Sequence, residues 1–241
     1  LMRLGSVAYL LDWSPASWDT RCEFHGRLCK RLREADTTPI LVLSEEPPFE
    51  IRERFSDDGA VFAACGYRQS RPAYFRLLAE LVQKHGVTLA HVRFFDYFSA
   101  IPWLARLCGV RHVVYTEANS GEWTQDHWTA HLVRLRAQFS CMPISRFIAV
   151  SEFIKRRLVH VGVYGEKIDV VNNGVDTDRF VPDPRARERL TVDLPIASVD
   201  FLIAGIFSLL PWKQPEVLLD ACALLLRRGV SVRLLVAGTG P

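Results

Sequence analysis

Three stretches of the chain pair residue types and spacings that suit binding chemistry. Lys213 closes FSLLPWK, residues 207–213, directly ahead of a helical apolar pattern over 216–228. A lysine there adds a point charge to the free N–H groups of a helix's first turn, an arrangement that holds a phosphate. The plainer alternative is a solvated lysine at a helix start. KIDVVNNGVDTDRF, residues 167–180, ends an apolar strand-like run on Asn172, Asn173 and Gly174. Asn-Gly reads either as a surface turn or as a hinge beside a site. LLVAGTGP, residues 234–241, ends another such run on Gly238 and Gly240. In open parallel sheets ligands bind outside the carboxyl ends of the strands, and all three stretches are strand ends. Two sheets with facing carboxyl ends would make a cleft.

Other constellations are weaker. His127 and His131 share a helix face, but Trp128 stands where a zincin needs glutamate and no third ligand is apparent, so no metal site is expected. Ser151 opens a helix after a strand without the Gly-x-Ser-x-Gly elbow of a nucleophile, so it reads as an N-cap with Glu152 in the first turn. Lys155, Arg156 and Arg157, with Arg134 and Arg136, form either a solvated basic face or a docking surface for anionic lipid headgroups.

The elements that position these residues alternate along the chain. Strands are expected at 7–11, 39–43, 60–64, 88–93, 110–116, 147–150 and 168–171. Helices are expected at 20–35, 71–85, 97–108, 123–141 and 152–161. In the first helix Phe24, Leu28 and Leu32 recur every four residues, and in the second Phe75, Leu78 and Val82 share a face. Repeated β-α-β units with apolar strands predict a parallel sheet covered on both faces. After Gly174 the pattern pauses at Pro182, Asp183 and Pro184, with a short polar helix at 185–190. It resumes as strand 200–207, helix 216–228 and strand 232–237. The expected organisation is a complete Rossmann-like domain over 1–174, a linker over 175–199, and the incomplete start of a second Rossmann-like domain over 200–241.

Composition sets outer bounds. The 241 residues are 49% hydrophobic and 24% charged, ordinary for a globular chain. A net charge of +3 is too mild for a nucleic-acid binder, which usually carries a basic stripe. The six cysteines form no CxxC pair and read as reduced, mostly buried thiols of a cytosolic protein. No apolar run approaches the roughly 20 residues of a membrane span. No apolar core follows a basic start, so no signal peptide is expected, and Leu1 ahead of Met2 suggests a fragmentary reading frame.

Taken in order, the stretches resemble one family. Asn173-Gly174-Val175-Asp176 with Phe180 and Pro182 resembles the NGVDxxxFxP signature of GT-B glycosyltransferases, specifically the retaining family 4 enzymes. FSLLPWKQPEVLLDA, 207–221, is similar to that family's GRLxPxKGxxxLLxA, and LLVAGTGP to its LxIxGxGP. VVYTEANSGEW, 113–123, and FIAVSEFIKRRLV, 147–159, resemble two further segments of its first domain. The resemblance covers nearly the whole chain.

It implies transfer of a sugar, with retention, from a nucleoside diphosphate sugar to an acceptor hydroxyl. The second domain would hold the donor and the first a glycan or lipid-linked acceptor. No cofactor, metal or nucleic acid is implied. The place implied is the cytoplasm, with peripheral contact at the inner face of the membrane. Lys213 falls on the lysine that contacts the donor diphosphate. Asn173 and Gly174 would form the hinge strand at the cleft, and Gly238 and Gly240 belong to the donor side. Three departures matter. Phe207 and Ser208 replace the Gly-Arg pair, which removes a bidentate phosphate contact. Thr116-Glu117-Ala118-Asn119 lacks the histidine of T-x-H, leaving Glu117 or Asn119 to hold a sugar hydroxyl. The first loop, 12–19, lacks a Gly-Gly pair and carries Trp13 and Trp18, which either stack on an acceptor or anchor the loop. The family's Glu-x7-Glu pair would lie beyond Pro241, so half of the donor site is expected to be missing. Two rival readings stand beside transfer: a degenerate GT-B protein that binds a sugar, lipid or partner, and a nucleotide-sugar epimerase on the same architecture.

Overall fold

The computed structural model of the chain describes residues 5–95, 99–118, 130–193 and 201–240. They divide into two compact units at Gly174 and Val175. The first unit runs β1 (Ser6–Leu11), α1 (Thr20–Glu34), β2 (Pro39–Leu43), α2 (Phe49–Asp57), β3 (Val61–Ala64), α3 (Arg71–His85) and β4 (Val87–Arg93). It continues with α4 (Ile101–Leu107), β5 (His112–Glu117), α5 (Ala130–Cys141), β6 (Arg146–Ala149), α6 (Glu152–His160) and β7 (Ile168–Val170). The second contains α7 (Ala186–Asp193), β8 (Phe201–Ile206), α8 (Pro215–Arg227) and β9 (Val232–Ala237).

The first seven strands form one parallel sheet in the order β3-β2-β1-β4-β5-β6-β7. Every residue of β1 and β2 is buried, because helices cover both faces. Val7, Tyr9, Leu11, Leu41 and Leu43 pack against α1 and α2 on one face. Ala8, Leu10, Val42, Ala90, Val92 and Phe147 pack against α3, α4, α5 and α6 on the other. The chain changes face between β3 and β4, so β1 and β4 flank the switch point where such sheets open a crevice. The starts of α1, α3 and α6 carry side-chain caps. Asp19 accepts from Arg21 N and Cys22 N at 2.9 and 3.0 Å, and Ser151 from Ile154 N at 3.3 Å, which is the expected N-cap role.

Several expectations are corrected. Helix α2 was not expected; Ile51 and Phe55, four residues apart, are its buried face in an otherwise charged stretch. In α1 the buried residues are Cys22, His25, Gly26 and Cys29, while Phe24 is 47% exposed. Small side chains let α1 approach closely: a Cβ on Gly26 would come within 2.6 Å of Asp58. In α3 the buried face is Tyr74, Leu78 and Leu81, turned one residue from the expected one. Helix α4 starts at Ile101 rather than at 97, and residues 96–98 lie outside the described residues. So do 119–129, which include the expected start of the 123–141 helix and His127.

Candidate functional site

The polar residues of the first unit gather at the carboxyl edge of its sheet. β1 ends on Leu11 and runs into Asp12 and Trp13, β4 ends on Arg93, and β5 ends on Glu117. Arg93 pairs in register with Leu11 on one side and Thr116 on the other, so Glu117 and Asp12 stand one row further out. The structure therefore brings Trp13 and Glu117 to the same edge, after β1 and at the end of β5, with β4 and its Arg93 between them. Asp12 is held by Arg68 at 3.0 Å. Phe94, directly after Arg93, has a φ of 68°, a left-handed conformation that a bulky residue adopts only under constraint.

Beneath this edge, on the α1 face, lies a polar seam. The His91 ring contacts Thr116 Oγ1 through Nε2 at 2.7 Å, and Tyr9 packs 5.4 Å from the His91 ring and 6.0 Å from that of His25. His25 is 2% exposed, with Nδ1 2.7 Å from the Arg21 carbonyl; that nitrogen donates, which fixes the tautomer. Burial pushes the His25 imidazole down to about 4, with nearby Arg93 and Arg21 acting in the same direction. Burial, then the His25 and Arg93 charges, push His91 down to about 3. Both rings are neutral at physiological pH.

The two tryptophans are packing anchors. Trp13 is 8% exposed, stacks on His25 at 5.8 Å, and has the Arg21 guanidinium 4.7 Å over its ring. Trp18 packs on Phe55 at 5.0 Å, lies under Arg54 at 3.8 Å, and donates Nε1–H to Glu23 at 3.2 Å. Neither ring is left as an open stacking platform. Glu117 is partly exposed at the end of β5, and Asn119 lies outside the described residues.

After β7 the ladder continues to Val171, whose N–H donates to Ala149 O at 2.9 Å. Asn172, Asn173 and Gly174 follow, exposed and outside any turn. The turn comes later, at 177–179, and Asp176 builds it: Oδ1 accepts from Asp178 N and Arg179 N at 3.2 and 3.0 Å, and its carbonyl from Phe180 N at 2.9 Å. The acidic part of the motif thus has a local structural purpose that sequence reasoning missed, although Asp followed by polar residues is a recognisable turn signal.

In the second unit, β8 and β9 are parallel neighbours joined by α8. Ser208 and Lys213 are both exposed in the connection, and Lys213 ends a single 3-10 turn, Pro211–Lys213. Gln214 follows with a φ of 52° at the N-cap of α8, where the resembled motif has glycine. Gly238 and Gly240 let the exits of the two strands run together. Phe207 N donates to Ala237 O at 3.1 Å and Leu209 N to Thr239 O at 2.9 Å. A Cβ on Gly238 would collide with the Phe207 carbonyl oxygen, and one on Gly240 would lie 2.5 Å from that of Leu209. A Cβ on Gly174 would meet nothing within 4 Å. Gly238→Ala is therefore expected to cost about 1–3 kcal/mol, as overpacking against rigid backbone does. Gly174→Ala is expected to stay within about 0.5 kcal/mol of the parent. Thermal melts of the two variants check this; equal melting temperatures would refute it.

A doubly wound parallel sheet followed by a second β-α-β unit is consistent with the GT-B fold of the solved structures that this chain resembles. Residues 26–179 match Glycosyltransferase Family 4, and the chain belongs to that family. A 99-residue stretch is 37% identical to a D-inositol 3-phosphate glycosyltransferase of Nocardia farcinica, covering 40% of this chain and 21% of the relative. Among solved structures, Anabaena HepE in complex with UDP-glucose superposes with a TM-score of 0.69 at 17% identity, over 98% of this chain and 61% of HepE. A glycosyltransferase from Rickettsia africae gives 0.61 at 12% identity, over 98% of this chain and 68% of its own. The chain thus spans about a fifth of the first relative and under two thirds of HepE. Among the described residues no helix is long and apolar enough to cross a membrane, and no group of three or more metal-ligating side chains occurs.

Proposed function

We propose that the protein moves a sugar from a nucleoside diphosphate sugar to an acceptor hydroxyl, with retention, in the synthesis of a glycan, glycolipid or envelope polysaccharide. The observation that carries this reading is family membership over 26–179. The name of the Nocardia relative and the UDP-glucose bound by HepE support it.

In this reading Lys213 neutralises charge on the departing diphosphate, and the N–H groups that open α8 add to it. Ser208, Asn173, Gly174, Gly238 and Gly240 belong to the donor side. Glu117, with Asn119 from outside the described residues, takes the acceptor or sugar hydroxyls. The reading invokes no cofactor beyond the donor substrate. It places the protein in the cytoplasm, with Lys155, Arg156 and Arg157 of α6 facing anionic lipid.

Lys213→Ala in the complete protein is expected to lower turnover by at least about tenfold, or ~1.4 kcal/mol of transition-state stabilisation. Radiolabelled transfer from a panel of donors measures it, and unchanged turnover would remove Lys213 from this role. The second reading, a degenerate binding module, is favoured by three departures: Ser208 where the resembled motif has arginine, Ala118 where it has histidine, and the glycine-free loop 12–19. Measurable transfer or donor hydrolysis by the complete protein excludes that module. Product analysis separates transfer from epimerisation.

A further inference from the structure

We propose that Arg93 is the anchor for an oxyanion carried by the acceptor, a phosphate or a carboxylate. The proposal rests on the transferase reading for the word acceptor, and on the first unit alone for the site. Arg93 ends β4 beside the switch point, one row from Glu117. Its guanidinium carbon lies 5.1 Å from the Phe24 ring centroid and 5.0 Å from that of Phe94, so two aromatic rings bracket it. Its Nε is buried and makes no hydrogen bond. Two of the carboxylates near this edge are committed elsewhere: Asp12 to Arg68 at 3.0 Å and Asp19 to Arg21 at 2.6 Å.

Glu117 stands one row further out on β5, and the remaining charged groups around Arg93 are cationic or neutral. Arg21 sits over Trp13 on the facing helix, and His25 and His91 are held neutral. Burial and the Arg21 charge both act against the Arg93 cation. A half-buried guanidinium whose buried Nε–H has no acceptor is an expensive arrangement. An incoming oxyanion would accept the Nε–H and add a negative charge facing the guanidinium, whose fork matches the geometry of carboxylate and phosphate. The left-handed φ of Phe94 marks the same point as one where the fold holds a strained backbone in place.

The test is binding of inorganic phosphate and, separately, of acetate to the purified protein, by calorimetry at constant ionic strength. Saturable binding of one of the two is expected. It is expected to weaken at least about tenfold in Arg93→Gln and to recover in part in Arg93→Lys, as loss of a charge-assisted pair implies. Arg52→Gln, on the exposed side of α2, should bind as the parent does, and circular dichroism verifies that each variant is folded. Phosphate binding identifies a phosphorylated acceptor, and acetate binding an acidic one. Binding of neither anion, or equal binding by Arg93→Gln, overturns the proposal. Competition by a nucleoside diphosphate that depends on Arg93 would move the residue to the donor and overturn it as well. Absence of sugar transfer alongside Arg93-dependent anion binding would instead defeat the transferase reading and leave the site standing.

Discussion

Lowering the pH from 7.5 to 5.0 is expected to cost the first unit about 4 kcal/mol of folding stability. The cause is the pair His25, buried, and His91, partly buried, pushed down to about 4 and about 3 from an ordinary value of 6.5. Below 6.5 the unfolded chain takes up protons that the folded chain refuses, so stability falls as pH falls. The loss begins near 6.5 and continues until the folded values are reached; above 6.5 the contribution is complete. Each histidine contributes about 1.36 kcal/mol per pH unit in this window, or about 2 kcal/mol by pH 5. Against a total of roughly 5–15 kcal/mol for a typical domain, that is a large share.

Carboxylates do not confuse the result. Glu23 is held down by its bonds from Trp18 and Arg27. Burial disfavours the charge on Asp19, but hydrogen bonds from Cys22 and Arg21 outweigh it. Their contributions are present above the ordinary carboxylate range and are lost only below it. Urea unfolding at the two pH values measures the effect, and His91→Gln should remove about half of it. An unfolding midpoint indifferent to pH would mean that the histidines are not buried neutral.

Phe55→Ala is expected to destabilise the chain by about 3–5 kcal/mol. Phe55 is 0% exposed and packs on Trp18 at 5.0 Å and Phe62 at 5.7 Å. Removing it opens a void between α2 and β3 and takes away the wall on which Trp18 rests. The loop that carries Trp18 also carries Asp19, the N-cap of α1, so the damage reaches the helix that supports the Arg93 edge. Phe55→Leu, closer in volume, should recover most of the loss. A cost of less than about 1 kcal/mol for the alanine variant would show that the site collapses around the missing ring.

Much of the fold was legible in the residues themselves. Continuous apolar runs such as PILVL, 39–43, mark strands buried on both faces, and such strands belong to parallel sheets. Ser151 was legible as a cap, because a serine before a helical run satisfies orphan N–H groups locally. Lys213 ahead of α8 was legible for the same kind of reason: the spacing of a few residues along the chain fixes the arrangement.

What failed required knowledge of neighbours distant in sequence. The buried face of α1 was only partly readable from Phe24, Leu28 and Leu32: the two leucines pack partly buried on the core, Phe24 is exposed, and the most buried positions are Cys22, His25, Gly26 and Cys29. Helix α2 presents two apolar residues to the core, too few for a periodic signal to stand out. Trp13 and Trp18 offered two roles in sequence, and only the structure shows that they touch His25, Arg21, Phe55 and Arg54. Arg93 closes VTLAHVR, 87–93, where His91 and Arg93 alternate with apolar residues; the pattern marks a polar side to the strand without saying what it faces. The sequence by itself determined the strands, most of the helices and the Ser151 cap, since those depend on local backbone and burial periodicity. Only the tertiary structure decided that β4 lies between β1 and β5. Strand order is set by packing across the whole sheet, and that order brings Arg93 beside Glu117.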